Sequence, residues 1–160
     1  MAVNPIPDGY HTVTPYLIIK GAAAAIDYYK RAFGATELVR MEAPGGRIGH
    51  AELRIGNSMV MLADEHAEMG YRSPSSLGAT PVSLVLYVPD VDKVFAQAIS
   101  AGGKSQRPVA DQFYGDRMGT LEDPFGHVWT VGTHTEDVSP EEMKKRMAEA
   151  FSTASAGHKS

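Results

Sequence analysis

The sequence contains no cysteine, which removes disulfides, thiolate metal ligands and thiol nucleophiles together. Any metal would have to be held by His, Asp or Glu, and any nucleophile would be a hydroxyl, a carboxylate or an amine. No run approaches the ~20 apolar residues that a membrane-spanning helix needs, and the first residues lack the basic stretch and apolar core of a secretory signal. These absences predict a cytoplasmic protein with no membrane partner. Charge of one sign is also scarce: 15 Lys and Arg stand against 19 Asp and Glu, a formal net charge of -4. There is accordingly no electrostatic reason to expect nucleic acid. A phosphate-cradling glycine loop, a dinucleotide fingerprint and a nucleophile elbow are all missing. What remains is a chain of 160 residues, 43% hydrophobic and 21% charged, long enough for one domain with a proper core.

The stretch from Leu121 to Gly132 reads as two strands joined by a tight turn. Asp123-Pro124-Phe125-Gly126 combines a turn-initiating Asp, a Pro with preset φ and a closing Gly, the chemistry of a type I turn. Val128, Trp129, Thr130 and Val131 then suit a pleated strand. From the start, residues 1–10 carry Pro5, Pro7 and Asp8-Gly9 and predict an irregular segment. Alternation predicts a strand over Thr12 to Lys20. Ala22, Ala25, Ile26, Tyr29 and Phe33 at helical spacing predict a helix that Gly34 closes. Strands are expected at Thr36 to Glu42, Ile48 to Ile55 and Ser58 to Ala63. A polar, broken connector follows over 67–81. Val82 to Val88 then predicts a strand and Val91 to Ala101 a helix, with Gly102-Gly103 behind it.

The second half repeats the first. Helix positions 22, 25, 26, 29 and 33 become 91, 94, 95, 98 and 102, and Gly34 becomes Gly103, each shifted by 69. The expectation is therefore an α+β fold of two tandem βαβββ modules, 11–66 and 82–134, forming a curved mixed sheet with a concave pocket. The register of the strands at 48–55 and 117–122 stays open, because a slip of one residue would exchange their faces. Ser139-Pro140-Glu141-Glu142 is a strong helix start. It predicts a helix over 138–152, with Met143, Met147, Ala150 and Phe151 as its apolar face, and a mobile tail over 153–160.

A duplicated βαβββ unit carrying Ala25-Ile26-Asp27-Tyr28-Tyr29, Phe33-Gly34, Gly102-Gly103 and Asp123-Pro124-Phe125-Gly126-His127 resembles the vicinal oxygen chelate superfamily of glyoxalases, bleomycin resistance proteins and extradiol dioxygenases. Gly49-His50-Ala51-Glu52-Leu53, Gly115-Asp116-Arg117 and the Thr133 to Asp137 tail resemble its PhnB-like branch. The resemblance implies four metal-ligand positions, which fall on Thr14, Met61, Ser83 and Thr130. A hydroxyl or thioether there is a poor partner for the divalent ions that want imidazole or carboxylate. No metal and no other cofactor is expected, and a divalent ion on nonstandard ligands is the alternative.

Strand parity sorts the remaining candidates. Leu17, Ile19, Val60, Leu62, Leu84, Leu86, Trp129 and Val131 should lie under the helices. Thr14, Tyr16, Met59, Met61, Ser83, Tyr87 and Thr130 should line the concave side as a ligand pocket, the alternative being that Tyr16, Met59 and Met61 simply fill it. His50, Glu52 and Arg54 alternate along one strand, where a His beside a carboxylate can act as a base and Arg54 can hold an anion. The alternative is a solvated strand face. Glu122 is a second candidate acid or base, and Phe113 and Tyr114 a candidate lid or subunit contact. His127 shares the parity of Trp129 and is expected to be structural; His11, His66, His134 and His158 show no ligand spacing. The leading expectation is a homodimer that binds a small molecule without a metal. The alternatives are an enzyme (lyase, isomerase or dioxygenase) that uses nonstandard metal ligands or metal-free acid/base chemistry through His50 and Glu122, and a structural or interaction module.

Overall fold

The computed structural model describes residues 2–157. The elements are β1 (Tyr16–Ile19), α1 (Ala22–Phe33), β2 (Thr36–Ala43), β3 (Arg47–Ile55), β4 (Ser58–Asp64), α2 (Pro74–Leu77), β5 (Ser83–Tyr87), α3 (Val91–Ser100), β6 (Lys104–Asp111), β7 (Asp116–Glu122), β8 (Val128–His134) and α4 (Pro140–Ala156). They form two four-stranded sheets ordered β1-β4-β3-β2 and β5-β8-β7-β6. In each, the first and last strands of the βαβββ unit pair in parallel and the rest pair antiparallel.

Three boundaries differ from expectation. Pairing in β1 begins at Tyr16 rather than Thr12, since Pro15 has no N–H to extend the ladder. Its carbonyl still accepts from Met61 N at 2.9 Å. The connector contains a 3-10 turn over Ala67–Met69 and the short α2, capped by buried Ser73. The helix α4 runs four residues past 152 to Ala156, into the stretch expected to be mobile. His158 and the rest of that tail lie outside the described residues.

The helices lie on one side of the sheets and pack against each other, α1 on α3. Leu17, Ile19, Val60, Leu62, Trp129 and Val131 are buried beneath them, with Leu84 and Leu86 partly buried against the same core, as alternation predicts. The first N–H groups of α1 and α3 are met by a side chain from the last strand of their own module, in addition to the Asp90 side chain that accepts from Lys93 N at 3.1 Å in α3. Asp64 on β4 accepts from Gly21 N at 3.0 Å and Ala22 N at 2.9 Å, while its other oxygen accepts from Ile48 N at 2.7 Å. Thr133, the residue 69 positions on, accepts from Val91 N at 2.9 Å and donates to the Val88 carbonyl at 2.8 Å. The duplication preserves the capping task while a hydroxyl replaces a carboxylate.

The repeat also keeps glycine at one position for two reasons. Gly34 ends α1 with φ 67, the left-handed conformation that closes a helix. At Gly103 a Cβ would stand 2.6 Å from the Tyr28 hydroxyl and 2.9 Å from the Ala98 carbonyl oxygen, so close approach rather than dihedral freedom excludes a side chain.

The two modules fall into register with one slip. Met61 corresponds to Thr130, an offset of 69, because Tyr16 pairs with Met61 and Val85 with Thr130. Glu52 pairs with Met61 and Thr120 with Thr130, so β3 maps onto β7 with an offset of 68. The hairpin through Asp123-Pro124-Phe125-Gly126 is one residue longer than the Gly56-Asn57 turn, and that residue absorbs the difference.

Asp123 holds the modules together. Its Oδ1 accepts from Phe125 N at 2.9 Å and His127 N at 3.0 Å, fixing the turn. Its Oδ2 accepts from the Tyr29 hydroxyl at 2.6 Å and Trp129 Nε1 at 3.0 Å, reaching from the second module into the helix of the first. Burial and the Asp123 carboxylate hold the Tyr29 phenol well above its ordinary range. Trp129 lies against Phe33 and Tyr29, with ring centroids 4.7 and 5.3 Å apart. His127 Nε2 stands 3.0 Å from the Ile18 carbonyl, the structural role its parity indicates.

Candidate functional site

The helices cover one side of each sheet and leave the other available. On the free side of the first sheet, the β3 residues His50 and Glu52 stand in line with Tyr16 on β1 and Met61 on β4. His50 Nε2 lies 3.0 Å from Glu52 Oε1, and His50 Nδ1 lies 2.9 Å from the Tyr16 hydroxyl. The Tyr16 and His50 rings are 5.6 Å apart. The hydroxyl of Tyr10, from the N-terminal segment, donates to Glu52 Oε2. These two hydrogen bonds, with that of Tyr10 first, hold the Glu52 carboxyl below its ordinary range. Burial and then the facing Glu52 push the Tyr10 phenol up to about 12. His50, Glu52 and Tyr16 therefore stand on one face of the first sheet, a register that the sequence left open.

Beside this chain lies a cavity of about 530 Å³. Tyr16, Ile18 and Ala63 form its floor on β1 and β4, the β2–β3 turn brings Pro44 and Arg47, and the connector supplies Met69 and Tyr71 as a wall. Sequence reasoning missed the wall entirely. The clue was two large apolar side chains, Met69 and Tyr71, inside an otherwise polar connector, but nothing local says that the connector folds back over the sheet.

The remaining candidates are dispersed. Thr14 and Met59 line a separate cavity of about 260 Å³ between the N-terminal segment and β5, together with His11 and Leu84. Arg54 is exposed on β3, opposite Met59. Ser83, Tyr87 and Thr130 belong to the second sheet, where the Thr130 hydroxyl meets that of Thr120 at 2.9 Å. Glu122 accepts from Gln106 Nε2 at 3.0 Å and lines a third cavity beside Pro124 and Phe125. His50 and Glu122 stand in different modules, and the carboxylate within hydrogen-bond reach of His50 is Glu52. The loop of Phe113 and Tyr114, read as a lid or a subunit contact, lies beside the C-terminal helix. Phe113 and Tyr114 pack edge to face at 5.3 Å, the Tyr114 hydroxyl meets Met118 Sδ at 3.3 Å, and the Phe113 carbonyl accepts from Arg146 of α4. This holds the loop against the C-terminal helix, away from the large cavity.

The four family metal positions divide between the sheets, Thr14 and Met61 in the first module and Ser83 and Thr130 in the second. Two hydroxyls at the second pair and a hydroxyl with a thioether at the first do not fit a hard divalent cation. Among the described residues no group of three or more His, Asp or Glu side chains converges on one point.

The second sheet carries its own polar cluster. His134 Nδ1 lies 2.6 Å from Asp116 Oδ1 and Nε2 lies 2.7 Å from Asp137 Oδ1, while Tyr87 donates to Asp116 Oδ2 at 2.8 Å. Hydrogen bonds to Asp137 and then Asp116 raise the His134 imidazole above its ordinary value. A raised folded value means that this contribution is complete below the unfolded value of about 6.5 and is lost as pH rises through the folded one. Proton NMR of the His134 ring should give a midpoint above that reference. A midpoint at or below it would mean that the two carboxylates do not clasp the ring.

Two βαβββ modules joined through their helices, each with a sheet face left free, define a protein of the vicinal oxygen chelate kind. The chain belongs to the Glyoxalase/Bleomycin resistance protein/Dioxygenase superfamily, whose family model matches residues 10–131. It is 42% identical over 151 residues to an uncharacterized protein of Mycobacterium bovis, covering 92% of this chain and 97% of that protein. It is similar to the solved structure of TioX from Micromonospora sp. ML1, at 27% identity and a TM-score of 0.61, over 81% of this chain and 100% of that one. In fold it also resembles the PhnB protein from Bacillus cereus, at 20% identity and a TM-score of 0.57, over 77% of this chain and 99% of that one. No helix among the described residues is long and apolar enough to cross a membrane.

Proposed function

We propose that this protein binds a small, largely apolar molecule in the concave cavity of the first module, without the superfamily's metal, as a cytoplasmic homodimer. The observation that carries the reading is the cavity itself. At about 530 Å³ it falls in the size range of small-molecule sites. Its lining is mainly apolar, from Ile18, Ala63, Met69 and Tyr71, with a few polar groups to orient a guest. The side chains at the four metal positions support a metal-free mode, since none is an imidazole or a carboxylate. The dimer is supported by large apolar side chains left exposed, Val85 and Tyr87 on β5 and Phe151 on α4. Light scattering should give twice the chain mass.

The test is ligand-dependent stabilisation. A guest that binds only the folded state adds about 2.7 kcal/mol when present at 100 times its Kd. A screen of small neutral and weakly acidic aromatics by thermal unfolding should return compounds that raise Tm. A screen that moves Tm for none of them would defeat the reading.

A further inference from the structure

We propose that Tyr16, on the cavity floor, forms a proton-accepting relay with His50 and Glu52, and that the guest is a weak acid, a phenol or an enol, which Tyr16 deprotonates. The inference rests on the cavity being the binding site. Its foundation is the directionality of the hydrogen bonds. An ionised carboxylate can only accept, so Glu52 obliges His50 to carry a proton on Nε2. The neutral imidazole then presents a lone pair at Nδ1, and the Tyr16 hydroxyl, 2.9 Å away, donates to it. The Tyr16 oxygen keeps its acceptor capacity, and Tyr16 lines the cavity.

A guest hydroxyl that hydrogen-bonds to this oxygen completes a continuous path. As the guest O–H bond breaks, its proton joins the Tyr16 oxygen and the Tyr16 proton passes to His50 Nδ1. The guest becomes an anion and His50 an imidazolium held by Glu52. Nothing is oxidised and no co-reactant is needed. The second Glu52 oxygen is already occupied by Tyr10, so the carboxylate is anchored from two sides and can stabilise the imidazolium without moving. Burial, followed by the facing Tyr71 and Glu52, raises the Tyr16 phenol above its ordinary value, so Tyr16 rests as the neutral relay member.

The surroundings favour the anion. Arg47, also on the cavity lining, holds the Glu65 carbonyl through one nitrogen, and its positive charge faces the same space. The nearby Asp64 carboxylate is engaged by the backbone N–H groups of Gly21, Ala22 and Ile48. From the connector, His66 and Tyr71 are the titratable groups that face the site. Efficient transfer requires a guest of matched acidity, which points to hydroxyls that titrate near neutrality. An apolar ring would fill the space between Ile18, Met69 and Tyr71.

The probes are 4-nitrophenol, whose anion is read by its colour, and its neutral methyl ether 4-nitroanisole. Both should raise Tm. Bound 4-nitrophenol should be about tenfold more ionised at fixed pH than in solution, a fall of about one pKa unit. Tyr16→Phe and Glu52→Gln should each abolish that excess ionisation. Nitrogen NMR of His50 gives a readout that needs no guest: the wild-type ring should carry its proton on Nε2, and Glu52→Gln should mix the tautomers. Binding of both probes with no excess ionisation would overturn the relay and leave the cavity reading intact. Binding of the ether but not of the phenol would overturn the relay too. Failure of both probes, together with an unresponsive wider screen, would remove the cavity reading itself.

Discussion

Replacing Asp123 with Ala is expected to lower the unfolding free energy by about 3–5 kcal/mol, near the upper end for a point substitution. The residue is 3% exposed and accepts four hydrogen bonds. Removing it strands the Tyr29 hydroxyl and the Trp129 indole N–H in the core, each costing about 1–3 kcal/mol, and frees the turn that sets the register of β7 against β8. Urea unfolding should show a lower midpoint with an unchanged slope if the loss is one of stability alone. Asp123→Asn should recover less than half, because an amide has one acceptor oxygen and turns its own N–H groups toward donors. A loss below about 1 kcal/mol would mean that solvent reaches these donors readily and that the modules do not depend on this carboxylate.

The second large effect is the loss of ligand response. Ala63 sits beside Ile18 on the cavity floor and is nearly buried. Ala63→Trp should place an indole in the space a guest would use. The stabilisation seen with 4-nitroanisole, about 2.7 kcal/mol at saturating concentration, should disappear. Unfolding without ligand should change by roughly 1 kcal/mol or less, because the new side chain enters open volume rather than a packed core. An undiminished response would place the binding site elsewhere, with the cavity containing Thr14 and Met59 as the next position to block.

The consequence of the duplication is that two copies of one module carry different chemistry on the same frame. The capping position is Asp64 in one and Thr133 in the other. The strand position opposite Met61 is Glu52, and its counterpart opposite Thr130 is Thr120. The first sheet thus combines a carboxylate, an imidazole and a phenol beside a cavity. The second has Thr120, Met118 and Val85 at the corresponding places, and its ionisable cluster lies at the far ends of β7 and β8. Had the two copies retained equal chemistry, fold symmetry would have offered two equivalent sites.

Much of the architecture was legible in local pattern. Helical and strand periodicities, Gly34, the Asp-Pro-Phe-Gly turn and the offset of 69 identified both modules, because burial on one side imposes period and parity on each element. Parity put His50 and Glu52 on one face of their strand, but only the paired ladders showed that this face is the one carrying Tyr16. What parity could not provide was distance across the chain. The repeat put Glu122 and His50 in different modules, yet nothing local records that Tyr10 and Tyr16 would meet the His50–Glu52 pair. Phe113 and Tyr114 read as a lid or a subunit contact, and that Arg146 of α4 holds their loop is a tertiary fact. The extra residue in the second hairpin moved β7 by one position against the repeat, a slip visible only once the ladders are paired.

The sequence by itself determined the duplicated βαβββ plan and the helix-facing core, since these depend on residue type and short-range spacing. Tertiary structure alone decided where the large cavity lies. The connector at Met69 and Tyr71 must fold back to make a wall, and Tyr10 must return to Glu52 to anchor it. Those contacts bring together residues separated by dozens of positions, and their geometry follows from packing rather than from any local propensity.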